Sequence, residues 1–209
     1  EEEQQWIASH RIKVGFEQWM PISFIENDGS ASGLAVGYME LIQKKTGLQY
    51  ELISDYWDSL LKRFKNKNID LLPVAYHTKE RATYGLFTEP YFYVNQFIYL
   101  KSNNAEISNI NDLSNKRIAI VKGYAPISEL KVKFPDVTII ETKDLLEAIF
   151  AVLNGEADAL LDSQMAVEHT IRVNAIRGIK ALSQKIFPPS ALKMFSPIDE
   201  PLLNSIMHH

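Results

Sequence analysis

The feature of this sequence that most constrains its fold is an alternation of strand-like and helix-like segments that runs through the chain twice. In the first half, predicted strands at 11–16, 49–54 and 69–75 are separated by helices predicted at 34–45 and 58–64. This order of strands and helices is typical of a sheet wound in parallel and covered by helices. The first half is therefore predicted to be an α/β unit.

Three local signals predict where elements of this unit begin or end. The Asp-Gly pair at 28–29 predicts a tight turn that folds one short strand back on another. Gly47 follows the helix predicted at 34–45 and is placed to terminate it in the left-handed conformation. Asp58 is placed to cap the N-terminus of the next helix.

The alternation starts again after Tyr99 and predicts a second α/β unit. Its predicted elements, strands and helices in alternation, are 117–121, 127–134, 137–141, 145–153, 159–161 and 165–173.

Two segments are predicted to connect the units. Residues 96–101 form an extended apolar stretch without a flexible Gly/Ser linker, and 184–189 contains paired prolines. Both are interpreted as crossings, and together they predict a two-strand hinge. Residues 191–195 and a final helix then return to the first unit. The predicted lobes are 1–100 with 188–209 for lobe 1, and 101–187 for lobe 2.

Composition excludes several classes of partner. The 209 residues are 46% apolar and 23% charged, as in an ordinary globular protein of one large or two small domains. The net charge of −4 contains no block of five or six like charges, so no nucleic-acid partner is expected. The chain has no Cys, which excludes disulfides and thiolate metal sites but leaves the compartment open.

No apolar run approaches the 18 residues that span a bilayer, and no signal region opens the chain. We therefore expect an excised segment of a longer protein. His208 and His209 are either native or the start of a purification tag, and a metal site there is disfavoured. No metal or cofactor is expected.

Arg81 and Asp162 are the main candidate ligand-binding residues, because each is predicted to lie just past a strand-like run. The planar guanidinium fork can hold a carboxylate through two hydrogen bonds, and a carboxylate can accept from an ammonium group. Together they would suit a small zwitterion. The alternative is that both are surface charges, with Arg81 paired to a nearby Glu and Asp162 capping the following helix.

Eight stretches of the chain, in order and spread over nearly its whole length, resemble the type II periplasmic solute-binding proteins, bacterial extracellular family 3. They are 11–16, 19–21, 33–47, 57–72, 78–81, 87–91, 113–124 and 155–159. The resemblance implies an α/β, two-lobed Venus flytrap fold with a two-strand hinge. It also implies that Arg81 captures a ligand carboxylate and that Asp162 holds an α-ammonium.

Within this family the chain is most similar to the sensor domains of membrane histidine kinases. This similarity rests on the amphipathic lead-in at 2–10 and the amino-acid sequence of 121–125. The implied function is an extracytoplasmic sensor module that binds an amino acid or other carboxylate and signals by lobe closure. It would be periplasmic or extracellular and tethered to the inner membrane, next to another sensor domain or a transmembrane segment. A homodimer is left open.

The resemblance also implies further ligand contacts. In lobe 1, Trp19 would lie against the ligand and Glu17 occupies a position that is commonly acidic or polar; core packing is the alternative for Trp19. Tyr76 and His77, just before Arg81, are bulkier than the family pattern and would shrink the pocket. Trp57 is interpreted as a core anchor without a ligand role.

In lobe 2, the turn at 123–125 would present the backbone amides of Tyr124 and Ala125 to an anion, with Lys122 adding charge. Tyr124 and Ala125 replace the small hydroxyl pair that the family commonly carries here, which removes an expected contact. His77 could add pH sensitivity, although a structural role is favoured.

Three alternatives to a sensor domain remain at the level of sequence. One is the solute-binding component of an amino-acid transporter, whose pocket would look the same. Another is an enzyme of the same fold, such as a dehydratase, although no paired catalytic carboxylates, nucleophile elbow or metal cluster is evident. The last is a ligand-free signalling module, which the crowded pocket favours. The domain itself is not expected to be an enzyme.

Overall fold

The structure of the protein, a computed structural model, describes residues 1–208, which divide into two compact units. Unit 1 contains residues 1–93 and the segment from 191 to the C-terminal end of the described chain, and unit 2 contains residues 94–190. Residues 94–100 thus belong to unit 2, although the sequence pattern predicted them in lobe 1. The reason is that residues 96–101 form a strand that pairs within the sheet of unit 2.

The elements of unit 1 follow the predicted alternation and then add strands from the C-terminal segment. In chain order they are α1 (Glu2–Ser9), β1 (Arg11–Phe16), β2 (Phe24–Ile25), β3 (Ala31–Ser32), α2 (Leu34–Thr46), β4 (Gln49–Ser54), α3 (Trp57–Lys65), β5 (Leu72–Ala75), a 3₁₀ turn (Arg81–Thr83), β6 (Gly85–Phe87) and β7 (Phe92–Val94). The chain returns with β13 (Ser190–Pro197) and α7 (Pro201–Ile206).

The core of unit 1 forms where alternate residues of its strands meet the apolar side of α2. β1 and β4 are parallel, and Val14 on β1 also bridges Leu71 in parallel fashion just before β5. Val14, Leu71 and Met39 of α2 are fully buried in one apolar cluster. β13 runs antiparallel to both β5 and β6, so the C-terminal segment supplies the central strand of a second sheet in unit 1.

Two of the predicted termini in unit 1 are confirmed and one is wrong. Gly29 lies in the turn between the antiparallel strands β2 and β3, and Gly47 ends α2 with a φ of 83°. Asp58 does not cap α3, because the helix already begins at Trp57. The carboxylate of Asp55 instead accepts hydrogen bonds from the amide of Tyr56 at 2.8 Å and the hydroxyl of Ser59 at 2.7 Å.

Unit 2 contains a five-stranded sheet in the order β10-β9-β11-β8-β12. Its elements are β8 (Gln96–Lys101), a 3₁₀ turn (Ile110–Leu113), β9 (Arg117–Val121), α4 (Pro126–Lys133), β10 (Thr138–Thr142), α5 (Leu145–Asn154), β11 (Ala159–Ser163), α6 (Gln164–Val173) and β12 (Ile179–Lys185). β10, β9 and β11 are parallel, whereas β8 runs antiparallel to both β11 and β12.

Most of the predicted elements of unit 2 are confirmed within one or two residues, but β12 was not predicted. It is an edge strand, and of its seven residues only Leu182 is buried. A strand with one buried side chain lacks the apolar alternation that identifies strands in a sequence. The crossing predicted at 184–189 consequently begins inside β12.

Among the described residues, none of the helices combines the length and apolar character required of a bilayer-spanning segment.

Candidate functional site

Arg81 is buried in unit 1, where the chain turns after β5. Arg81 is 4% exposed, and its Nη1 donates a hydrogen bond to the carbonyl of Tyr76 at 2.8 Å. Its backbone amide donates to Oγ1 of Thr78 at 3.0 Å. Burial lowers the pKa of the guanidinium, and the negative charge of Glu80 and Glu17 partly opposes this effect. Even so, an arginine keeps its proton, so a fixed buried cation results.

The indole of Trp57 lies under this cation. The guanidinium carbon of Arg81 is 5.1 Å from the centre of the Trp57 ring, and Trp57 is 4% exposed. A cation over the face of an indole is attracted by the negative face of the ring. Trp57 is a core residue that starts α3, as its sequence position suggested. Its ring also packs against the guanidinium of Arg81. The sequence contains no signal for this contact, because the two residues are brought together only by folding.

Three further candidates, Trp19, Tyr76 and Glu17, lie in the same unit as Arg81. Trp19 is 3% exposed, and its ring meets that of Tyr76 edge to face with centres 6.4 Å apart. A backbone bridge between Trp19 and Ser23 holds the turn after β1, and the Ser23 hydroxyl donates to the carbonyl of Glu17 at 2.9 Å. Unit 1 thus assembles a buried arginine over the ring of Trp57, with the carboxylates of Glu80 and Glu17 within electrostatic range.

His77 is exposed and packs its ring against Phe87, with ring centres 5.0 Å apart. This contact agrees with the structural role that the sequence favoured. The pH sensitivity suggested for His77 remains a prediction.

Asp162 is buried in unit 2, but not at the place that the sequence predicted. It lies inside β11, opposite Phe97 of β8, and is 2% exposed. It does not cap the next helix either, since α6 begins at Gln164 and Ser163 occupies the N-cap position. Instead, its Oδ1 accepts a hydrogen bond from the amide of Ser163 at 2.6 Å. Asp162 is therefore a buried carboxylate near the end of β11.

The surroundings of Asp162 are acidic. Tyr99 pairs with Leu160, two residues before Asp162 on β11, so both side chains lie on the same face of the sheet. Burial raises the pKa of the Tyr99 phenol, and the negative charges of Glu168 and Asp162 raise it further. This part of unit 2 therefore presents negative electrostatic potential that favours a cation.

The predicted anion contacts of unit 2 lie in the turn from β9 to α4. The amide of Tyr124 donates to the carbonyl of Val121 at 3.1 Å, so this amide is engaged within the turn. Ala125 is buried next to Pro126, the first residue of α4. Lys122 is exposed, and the ring of Tyr124 packs on the apolar core of the unit. The roles of these three residues in ligand binding remain predictions.

A comparison with known families matches residues 12–204 to the bacterial extracellular solute-binding proteins, family 3. The chain belongs to this family. The match includes every candidate binding residue, from Glu17 to Asp162, and confirms the resemblance seen in the sequence.

Relatives of this family 3 domain include both sensors and binding proteins. The virulence sensor protein BvgS of Bordetella pertussis is 23% identical over 209 residues, which cover 99% of this chain and 17% of that protein. A probable histidine-binding protein of Campylobacter jejuni is 30% identical over 156 residues, covering 73% of this chain and 60% of that protein. The chain therefore spans only part of the length of these relatives.

The fold is shared with a solved sensor domain. The crystal structure of the periplasmic VFT2 domain of Bordetella pertussis BvgS superposes with a TM-score of 0.88 at 23% identity. The match covers 99% of this chain and 89% of that one. The predicted α/β Venus flytrap fold is thereby confirmed for this family 3 domain.

Among the described residues there is no group of three or more His, Cys, Asp or Glu side chains that could hold a metal ion. His209, the second member of the C-terminal His pair, lies outside the described residues.

Proposed function

We propose that this domain binds a small carboxylate-bearing solute, such as an amino acid, outside the cytoplasm and serves as a sensor module of a membrane signalling protein. Arg81 receives the ligand carboxylate and Asp162 receives its ammonium group. The observation that carries the proposal is the buried guanidinium of Arg81, which lies over the ring of Trp57 and donates to the backbone carbonyl of Tyr76.

Burial of Arg81 supports a carboxylate partner on energetic grounds. Removing a charged group from water is costly unless the charge is compensated, and the lowered pKa of Arg81 reflects that cost. A bidentate carboxylate is the ligand group that compensates a guanidinium best, because two parallel charge-assisted hydrogen bonds form. The ring of Trp57 beside Arg81 would exclude water from such a pair and strengthen it.

Asp162 supports an ammonium partner by the same reasoning with the signs reversed. One of its oxygens accepts from the Ser163 amide, and the negative charges of Asp162 and Glu168 both act on the phenol of Tyr99. A ligand ammonium would bring the positive charge that this buried acid favours. Lys122, Tyr124 and Ala125 are proposed as additional contacts to the same ligand from unit 2.

We propose that the ligand couples the two units through lobe closure. A ligand that contacts both units favours the closed state by its additional contacts, and this differential affinity shifts the equilibrium. A shift from 1:99 to 99:1 requires about 5.5 kcal/mol, which a desolvated carboxylate pair and an ammonium pair together can supply.

Assignment to a sensor is supported by the BvgS match, which covers 99% of this chain. In such a setting the domain would be periplasmic and linked to the inner membrane. A second candidate is the binding component of an amino-acid transporter, favoured by the 30% identity to the probable histidine-binding protein. Sequencing the gene on both sides of this segment separates them: a transmembrane segment and kinase domain downstream support the sensor.

Binding is tested by screening the common amino acids and small dicarboxylates for thermal stabilisation, followed by calorimetric titration. A ligand at 100 times its dissociation constant should add about 2.7 kcal/mol to the free energy of unfolding. Arg81→Lys keeps the charge but removes the planar fork, and should weaken binding at least about tenfold. The matched control is Arg177→Lys at an exposed position, which should bind as wild type.

Asp162→Asn should weaken a ligand that carries an ammonium group but leave its des-amino analogue unaffected. Asp136→Asn, an exposed acid in the same unit, is its control. Unchanged binding in Arg81→Lys would show the carboxylate assignment to be wrong, and a failure of every solute would favour a ligand-free module.

A further inference from the structure

The helix α5 of unit 2 carries apolar side chains around most of its circumference. Only Glu147 and Asn154 are polar among the residues of Leu145–Asn154. One side of the helix, with Ala148 and Ile149, is buried against the sheet. A helix that packs one side on a sheet normally exposes polar residues on its opposite side. The apolar residues on the outer side of α5 therefore indicate a second contact.

The outer apolar residues of α5 form one stripe. Leu146 is 38% exposed and Phe150 is 44% exposed, and Leu153 follows as a partly buried residue. Spacings of four and three residues place the three side chains on one side of a helix, one above another.

We propose that this stripe is the contact surface for a second copy of the chain, with the two α5 helices packed antiparallel about a twofold axis at Phe150. This inference does not depend on the ligand or on its binding residues. The stripe consists of Leu146, Phe150 and Leu153, and a twofold axis makes each contact occur twice.

The two ends of the stripe are complementary in shape. Beside Leu153 there is an open depression of about 270 Å³, lined also by Gly178 and by residues 101–103. In an antiparallel pair in which Phe150 faces its counterpart, residue 146 of one copy lies opposite residue 154 of the other. The exposed Leu146 of each copy is thus brought to the open depression beside Leu153 of its partner, where it can pack.

The charges flanking the stripe are also complementary. Lys143 lies just before α5 and Glu156 just after it, and both are exposed. Neither side chain forms a salt bridge with another residue of the described part of the chain. The same antiparallel register places Lys143 of one copy opposite position 157 of the other, one residue from Glu156, at both ends of the interface. A parallel pair would instead bring like charges together, which is unfavourable.

A stripe of three side chains is small compared with a standard protein interface, so the expected dimer is weak and exchanges rapidly in solution. Cross-linking detects such a dimer better than chromatography. Because the chain contains no Cys, a single introduced thiol reports on one position alone.

The experiment oxidises Phe150→Cys in the 209-residue chain at about 100 μM, a concentration suited to weak complexes. Its control is Val132→Cys on α4, where the residue is 85% exposed. The two thiols introduced by Phe150→Cys meet on the twofold axis, whereas those of Val132→Cys meet only by random collision. Phe150→Cys should therefore form disulfide dimers roughly tenfold faster than Val132→Cys. Equal rates would overturn the proposal and would mean that another segment or another protein covers α5.

The register is tested by charge reversal in the Phe150→Cys background. Lys143→Glu should slow cross-linking severalfold, because it replaces attraction by repulsion at both ends. Adding Glu156→Lys should restore the original rate, since the charges then match again in reversed order. A double variant that stays as slow as Lys143→Glu contradicts the antiparallel arrangement. Circular dichroism and the melting temperature of each variant confirm that the fold is retained.

Discussion

The contact between Trp57 and Arg81 makes a prediction whose size follows from the structure. The guanidinium carbon is 5.1 Å from the ring centre, and both residues are at most 4% exposed. A desolvated cation–π contact of this kind is worth about 2 kcal/mol, at the upper end of the range for such pairs. Replacing Trp57 by Leu also removes packing atoms, so the total loss of stability should reach about 3 kcal/mol.

Single variants do not isolate the contact, because Arg81→Met also removes the desolvation cost of a buried charge. A double-mutant cycle does. Urea unfolding of wild type, Trp57→Leu, Arg81→Met and the double variant should give a coupling energy of about 1–2 kcal/mol. Tyr56→Leu, at the exposed neighbouring position, should be additive with Arg81→Met.

A coupling energy below about 0.3 kcal/mol would refute the reasoning, because that is the deviation expected between independent sites. In that case the ring of Trp57 would be ordinary core packing. The position of Arg81 would then depend on the Tyr76 carbonyl that its guanidinium contacts.

Three further predictions concern stability, each measured by urea unfolding. Gly85→Ala should destabilise by about 1–3 kcal/mol, since its Cβ would overlap the ring of Phe195; wild-type stability would contradict this packing. Gly37→Ala, inside α2 with open space around the new methyl, should stabilise by about 0.5–1 kcal/mol, and a loss would show hidden crowding. Asp158 accepts hydrogen bonds from Arg117, which holds the pKa of its carboxyl below the ordinary value. Its stabilisation is therefore complete above about pH 4 and lost as the pH falls through the folded pKa, so wild type and Asp158→Asn should differ at pH 7 and converge in acid; a difference independent of pH would contradict the assignment.

The sequence by itself determined the local elements and the family. β1, β9, α2 and α5 were predicted close to their observed limits, because periodic apolar residues and terminal glycines such as Gly47 act within a few positions of the chain. The order of these elements also predicted the α/β class, since alternating strands and helices have few ways to bury their apolar sides.

Only the tertiary structure decided which distant residues meet. The sequence pattern could not show that Trp57 lies under Arg81 or that Asp162 is buried inside β11 beside Tyr99, because these contacts depend on how separate segments pair. The edge strand β12 was missed for the same reason: its backbone is held by β8, while its own side chains remain largely in solvent. Local periodicity records which face of an element is buried, whereas the partner on that face is chosen when the whole chain packs.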